Sequence, residues 1–236
     1  MWEGKRVSLV FPAYNEEKSI KKSIDDFFNI GVVDEVIVVD NNSNDKTSDE
    51  IKKTKAKLFL EKNQGYGFAL IRGLKEASGN IIITCEPDGT FVPNDIKKLL
   101  VYSEDFDVVF GSRTSKWCIW ENSNMGWFLR IGNWFIGKIL EYMYNGPSLT
   151  DVGCTFKLIK REQLDIIKDK FCVGGSSFSP EFMILCIKNK CKVVEIPLNY
   201  RPRIGESKIT GKKTKAFKLG LKMIWLILAY RFLGKR

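Results

Sequence analysis

The chain has 236 residues, 44% of them hydrophobic, with 38 Lys and Arg against 28 Asp and Glu and no His, for a net charge of +10. That length and apolar content fit one large globular domain, or one and a half, with a sizeable core. Six Cys, at positions 85, 118, 154, 172, 186 and 191, form no Cys-x-x-Cys pair, which argues against a disulfide framework or a zinc site. From Arg201 to Arg236 there are eleven basic residues and one acid, Glu206, so this segment holds the whole charge surplus and the first 200 residues are neutral. No nucleic-acid-binding motif accompanies that basic charge.

Met1 to Arg6 has neither an apolar signal segment nor a cleavage site, so the active face is expected in the cytoplasm. Val7 to Ala13 reads as a strand ending at Pro12, and Tyr14-Asn15-Glu16-Glu17 as the opening turn of a helix with acids at its positive end. Glu35 to Asp40 is a second buried strand, followed by the polar turn Asn41-Asn42-Ser43-Asn44-Asp45 and a helix from about Thr47. Leu58 to Leu60 is a short third strand, and Gly65-Tyr66-Gly67 leads into a helix through Ala69, Gly73 and Ala77. Ile81-Ile82-Ile83-Thr84-Cys85 is the fourth strand and Asp107 to Gly111 the fifth. Strands alternating with helices predict an α/β fold with a mostly parallel sheet.

The fourth strand stops at Glu86-Pro87-Asp88-Gly89-Thr90. In an extended Glu-Pro-Asp the two carboxylates point the same way, and strand ends are where an open α/β sheet binds ligands. Glu86 and Asp88 could thus share one divalent cation through hard oxygen ligands, although such a pair taken alone reads more readily as a solvated turn. The same double reading holds for Asp40, a hydrogen-bond acceptor for a base or ribose or else a turn-former. Tyr14 is either a stacking platform or a surface aromatic, and Glu16 could reach a ribose hydroxyl. Gly65-x-Gly67 is neither a dinucleotide fingerprint nor a phosphate loop.

Taken in order, Val10-Phe11-Pro12-Ala13-Tyr14-Asn15-Glu16, Val38 to Asp45, the Gly65 turn and Glu86-Pro87-Asp88-Gly89-Thr90 resemble the family 2 glycosyltransferases of the A-type fold. Gly111-Ser112-Arg113, Arg130-Ile131-Gly132-Asn133, Thr150 to Lys157, Phe178 to Phe182 and Arg201 to Lys208 are similar to the branch that glycosylates polyprenyl (dolichyl) phosphates. The resemblance implies a Rossmann-like sheet flanked by helices and a nucleotide-sugar donor, GDP- or UDP-linked, bound by Pro12, Tyr14, Glu16, Asp40, Asn42 and Gly65. Arg203 and Lys208 are expected to clamp its diphosphate. Mg²⁺ or Mn²⁺ is expected on Asp88 and Glu86, where the family's first acid is Asp and this chain has Glu. Arg113 and Arg130 would cradle an acceptor phosphate, with Asp151 beside them as a turn residue or as a base for a hydroxyl acceptor. The alternatives are transfer to a sugar or other hydroxyl acceptor, and a catalytically silent nucleotide-sugar-binding protein. A nucleotidyltransferase is disfavoured because no Gly-rich loop follows Val7 to Phe11.

Residues 1–210 are expected to form the catalytic domain and 211–236 a basic amphipathic tail at the membrane interface. Lys215, Lys218 and Lys222 recur at helical spacing, and Phe217, Leu221, Ile224, Trp225, Leu228 and Phe232 can fill another face. The apolar run from Met223 to Tyr230 is too short to span a bilayer, so the expected partner is an anionic membrane surface. Trp117, Trp120, Trp127 and Trp134, mixed with Arg130 and Lys138, mark a second segment suited to lipid.

Overall fold

In the computed structural model, which describes residues 1–205 and 213–234, seven strands form one sheet. They are β1 (Val7–Ala13), β2 (Glu35–Asp40), β3 (Lys57–Leu60), β4 (Ile81–Thr84), β5 (Val108–Ser112), β6 (Lys157–Lys160) and β7 (Val193–Pro197), in the order β3-β2-β1-β4-β6-β5-β7. Only β6 runs antiparallel to its neighbours, β4 and β5. The helices are α1 (Ile20–Asn29), α2 (Thr47–Lys52), α3 (Tyr66–Glu76), α4 (Ile96–Tyr102), α5 (Trp127–Tyr144), α6 (Arg161–Ile167), α7 (Phe178–Lys188) and α8 (Lys213–Phe232).

Period-two alternation along the strands sorts the core into two layers. Leu9, Phe11, Val36, Val38 and Ile83 face one way, against Ile24, Phe27, Ile51 and Leu99 of α1, α2 and α4. Val10, Ile37, Val39 and Ile82 face the other, against Leu70 and Leu74 of α3 and residues of α5 to α8. Because β1, β2 and β4 are buried on both faces, their polar groups are forced to the strand ends, and the parallel register brings the ends of β1, β2 and β4 side by side. β6 and β7 were not legible as strands. β6 places Lys157 in the interior, where its ammonium donates to Ser179 Oγ at 2.7 Å and to the Cys154 carbonyl, so the sequence lacks the apolar run that marks the others.

One local expectation is corrected. Tyr14 to Glu17 does not open a helix, and α1 begins only at Ile20. The backbone N–H groups of Asn15, Glu16 and Glu17 donate instead to Ser43 Oγ (2.9 Å), Thr47 Oγ1 (2.8 Å) and Asp45 Oδ2 (3.2 Å), with Asn15 in the left-handed region at φ 54°. The loops after β1 and β2 are thus knitted together. The tail forms the expected helix, and one face of it is part of the domain's own packing. Met223, Leu226, Ile227, Ala229 and Tyr230 of α8 are buried, and Tyr144 of α5 donates to the Ile227 carbonyl at 2.9 Å. Tyr230 also donates from its hydroxyl to Glu181, a fully buried acid of α7 that accepts the Cys172 and Val173 N–H groups at 3.0 Å.

The residues assigned to an apolar face of the tail form a second face. Phe217, Leu221, Trp225, Leu228 and Phe232 are exposed, and only Ile224 of that set packs partly on the core. On α5, Trp127, Ile131, Trp134, Phe135 and Tyr142 are likewise exposed. Among the described residues, no helix is long and apolar enough to cross a membrane. None of the six cysteines is in a disulfide, and Cys172 is exposed.

Candidate active site

The loop after β4 carries the acid pair. The Pro87 carbonyl accepts a hydrogen bond from Ser23 Oγ at 2.7 Å, which fixes the loop to α1, and Gly89 turns the chain at φ 78°. Asp88 is buried, and its Oδ1 accepts both the Thr90 N–H (3.0 Å) and the Thr90 hydroxyl (2.6 Å). Its Oδ2 faces Arg203, whose Nη1 donates at 2.7 Å, while Nη2 of the same guanidinium donates to Glu16 Oε1. Arg203 arrives from far along the chain because residues 200–204 pair with the acidic loop. Phe91 bridges Tyr200, the Arg201 N–H donates to the Thr90 carbonyl at 2.7 Å, and the Ile204 N–H to the Asp88 carbonyl at 2.9 Å.

Glu86 is half-buried and accepts the Thr155 hydroxyl at 2.9 Å, and Thr155 also contacts the Tyr66 hydroxyl. Burial, and then the nearby Asp88 charge, pushes its carboxyl up to about 7. Sequence reading quoted Tyr66 and Thr155 only inside their motif segments and gave them no role, because the two meet each other and Glu86 only in three dimensions.

On the other wall, Arg113 leaves the end of β5 and forms a two-pronged ion pair with Asp151, Nε to Oδ2 at 2.8 Å and Nη2 to Oδ1 at 3.0 Å. The Asp151 carboxylate also accepts the Arg113 N–H (2.9 Å) and the Gly153 N–H (3.0 Å), and it is fully buried. Burial drives that carboxyl upward, but the guanidinium outweighs it and the net displacement is below the usual range. An ionised acid tied to an arginine holds that arginine still and is a poor proton acceptor. Glu195 of β7 supports the turn from beneath, accepting the Thr150 N–H at 2.8 Å and the Asp151 N–H at 3.1 Å. Arg130 of α5 donates from Nε to the Thr114 carbonyl at 3.1 Å, and Thr114 and Ser112 both share hydrogen bonds with the Thr150 hydroxyl.

These groups open onto one cavity of about 560 Å³. Pro12, Tyr14, Glu16, Glu86, Asp88, Arg113 and Arg203 line its polar end. The other end is an apolar gutter between α5 and α8, lined by Phe128, Phe135, Ile136, Phe217, Leu221 and Ile224. Asp40, Asn42, Gly65 and Arg130 are not in the lining. Asp40 Oδ1 accepts the Ser43 N–H at 2.9 Å and its Oδ2 the Ser48 hydroxyl, so both oxygens serve the turn. Asn42 sits at φ 61° and donates to the Lys62 carbonyl at 2.7 Å. Gly65 is needed for close approach, since a Cβ there would lie 2.2 Å from the Gly174 carbonyl oxygen. Its N–H donates at 2.6 Å to Oδ1 of Asn41, the residue of that turn that does line the cavity. Lys208 lies outside the described residues.

Comparison with known proteins agrees with this geometry. Residues 8–167 match the glycosyl transferase family 2. An uncharacterized protein from Methanocaldococcus jannaschii is 33% identical over 231 residues, covering 93% of each chain. A UDP-N-acetylglucosamine--dolichyl-phosphate N-acetylglucosaminyltransferase from Methanococcus voltae is 27% identical over 217 residues, 82% of this chain and 85% of the relative. Among solved structures, glucosyl-3-phosphoglycerate synthase from Mycobacterium tuberculosis with Mn²⁺, UDP and phosphoglyceric acid superposes with a TM-score of 0.72. That match has 18% identity and covers 97% of this chain and 78% of the other. The shared sheet is that of the A-type glycosyltransferases, and by sequence and fold the chain belongs to glycosyl transferase family 2.

Proposed function

We propose that this glycosyltransferase moves a sugar from a nucleotide-sugar to a polyprenyl phosphate. The observation that carries the reading is the single cavity whose acidic and arginine-lined end continues into an apolar gutter. A nucleotide-sugar and a small polar acceptor would use only the first part; an isoprenoid chain accounts for the second. The relatives support the two halves separately. The Methanococcus voltae protein is named for a dolichyl-phosphate acceptor, and the mycobacterial structures hold UDP with Mn²⁺ or Mg²⁺.

The residues present fit a divalent cation that is shared with the donor. Among the described residues no group of three His, Cys, Asp or Glu side chains could hold a metal alone. One or two carboxylates completed by phosphate oxygens is the usual pattern for Mg²⁺, and Asp88 with Glu86 offers it. A cation held there would neutralise charge developing on the departing nucleoside diphosphate.

The protein's own groups do the rest by placement. The acids lining the cavity are Glu16, Glu86 and Asp88, all at the donor end, and Asp151 is locked to Arg113. A phosphate monoester needs no base, because its second pKa of about 6 leaves it anionic at neutral pH. Arg113 lines the same cavity, where its planar donors suit phosphate oxygens, and Arg130 stands behind Thr114 as a second positive charge. One displacement with the acceptor phosphate as nucleophile inverts the anomeric centre. The exposed aromatic faces of α5 and α8, with exposed Lys215, Lys218 and Lys222, would rest on the cytoplasmic surface of an anionic membrane and let the lipid enter the gutter from the side.

The test is to supply labelled GDP- and UDP-sugars with Mn²⁺ and, in parallel, a short polyprenyl phosphate, 3-phosphoglycerate or a simple sugar. Label in the organic phase is the expected result. Label transferred only to phosphoglycerate or to a hydroxyl acceptor would replace the lipid acceptor, and nucleotide binding with neither transfer nor hydrolysis would leave a binding protein.

A further inference from the structure

We propose that Arg203 is the resident cation of the donor site. Its guanidinium occupies the place of the divalent ion on Asp88 and hands that place over only when metal and nucleoside diphosphate arrive together. The proposal rests on the metal-dependent donor reading of this site and is independent of the acceptor.

Three carboxylates, Glu16, Glu86 and Asp88, line one end of one cavity, and two of them contact the same guanidinium. Like charges in a low-dielectric cleft repel unless a cation separates them, and the Arg203 guanidinium sits between Asp88 and Glu16 as that cation. The contact is built into the fold. Backbone hydrogen bonds from Arg201 and Ile204 to Thr90 and Asp88 hold the residues flanking Arg203 against the acidic loop, and a Cβ at Gly89 would lie 2.9 Å from Ile204 Cδ1.

The atoms in contact define the competition. Asp88 Oδ1 is taken by two donors from Thr90, so Oδ2, the oxygen facing Arg203, is the one open to a metal. A metal arriving alone must displace a guanidinium held at 2.7 Å and gains too few protein ligands to compensate. A metal arriving with a diphosphate brings its own oxygens. It also brings the displaced guanidinium a new anion, for which Arg203 has a donor in reserve, since its Nε is buried without a partner. The same side chain therefore opposes the bare ion and rewards the complete donor. This is a positive coupling between metal and nucleotide, located in one residue.

Mn²⁺ binding read by the electron paramagnetic resonance of the free ion tests this without turnover. Wild-type protein should bind Mn²⁺ alone weakly, and saturating UDP should tighten it strongly. Arg203→Gln, which keeps most of the length and removes the charge, should bind Mn²⁺ alone at least about tenfold more tightly and show a smaller UDP effect. Arg203→Lys keeps the charge and should stay near wild type for Mn²⁺ alone. Equal Mn²⁺ affinity in the wild-type and Gln proteins, or an undiminished UDP effect in the Gln protein, overturns the proposal. If the Gln variant fails to fold, guanidinium NMR of ¹⁵N-arginine-labelled wild type decides, with Arg203 assigned by its absence from Arg203→Lys. Its signal should move when Mg²⁺ and UDP are added together and stay in place with Mg²⁺ alone; movement with Mg²⁺ alone, or no movement with both, overturns the proposal.

Discussion

The two ends of the cavity are built in different ways. The donor end is a set of strand termini, where β1, β2 and β4 run side by side and deliver Pro12, Asn41 and Glu86 within a residue or two of a regular element. The acceptor end has no such frame, since Arg113 depends on Asp151 and Asp151 on Glu195, while the gutter exists only because α8 returns from the end of the chain to lie against α5. Sheet register fixes the first; tertiary packing alone fixes the second. Mutations at the donor end should therefore cost activity without costing stability, and mutations at the acceptor end should lower both together.

The largest effect is expected at Asp88. Asp88→Asn keeps the shape of the turn, including an acceptor for Thr90, and removes the charge that a cation requires, so turnover should fall by about two to three orders of magnitude with unfolding nearly unchanged. Metal-dependent turnover near wild type in the folded variant would remove the metal from Asp88.

At the acceptor end, Asp151→Asn should behave differently. Breaking one side of a buried pair leaves the Arg113 guanidinium without its counter-charge, so stability should fall by about 3 kcal/mol and use of the acceptor should drop with it. Adding Arg113→Ala to Asp151→Asn should recover part of the stability and none of the activity. Urea unfolding of the two single variants and the double variant measures this, and additive losses would mean the pair is not coupled.

The difference in construction also explains what the sequence revealed. Apolar runs ending in Pro12, Asp40 and Glu86 are local patterns, so the first five strands and the acid pair were readable in order. Glu16 and Arg203 were singled out as well, through the resemblance, but for separate roles. The contacts of Arg203 with Glu16 and Asp88 span 187 and 115 residues of chain, distances no periodicity reports. The tail was legible as a helix but not in its packing, for a related reason. Its helix carries apolar residues on two faces, and spacing cannot tell the face that packs, with Met223, Leu226 and Ile227, from the one left exposed, with Phe217, Leu221 and Trp225. Asp40 reads as a ligand because of its place at a strand end, and in the fold it accepts hydrogen bonds from Ser43 and Ser48, which spacing does not show.

Glu86 allows a test of the donor end by pH. Its carboxyl titrates near 7 when folded, above the 4.5 of the unfolded chain, so the folded state binds the proton more tightly in that interval. Stability should therefore fall as pH rises from about 4.5 through 7 and level off above. Glu86→Gln removes the penalty. With chelator present, the variant should match wild type near pH 4 and exceed it by about 1–3 kcal/mol at pH 8. A constant difference between the two proteins across that range would mean that Glu86 is not desolvated in the free enzyme.

The smallest single effects are expected where the acceptor end meets its surroundings. Deleting α8 cannot test membrane attachment, because Met223, Leu226, Ile227 and Tyr230 would leave the core with it. The exposed face can be altered without that cost. Lys215, Lys218 and Lys222 are exposed, and each cation near an anionic surface contributes about 1 kcal/mol, so one Lys→Gln change should weaken binding to phosphatidylserine vesicles about fivefold at low salt. The triple variant should lose far more, and at high salt it should match wild type, because screening removes the same term. Trp225→Ser should act in the opposite pattern. Its ring is exposed on the apolar face, so the loss should persist at every salt concentration. Vesicle sedimentation of the three variants across a salt series separates the charged from the apolar contribution. If the lysine variants sediment like wild type at low salt, the basic stripe has no part in attachment, and only the aromatic faces of α5 and α8 are left to bring the gutter to the lipid.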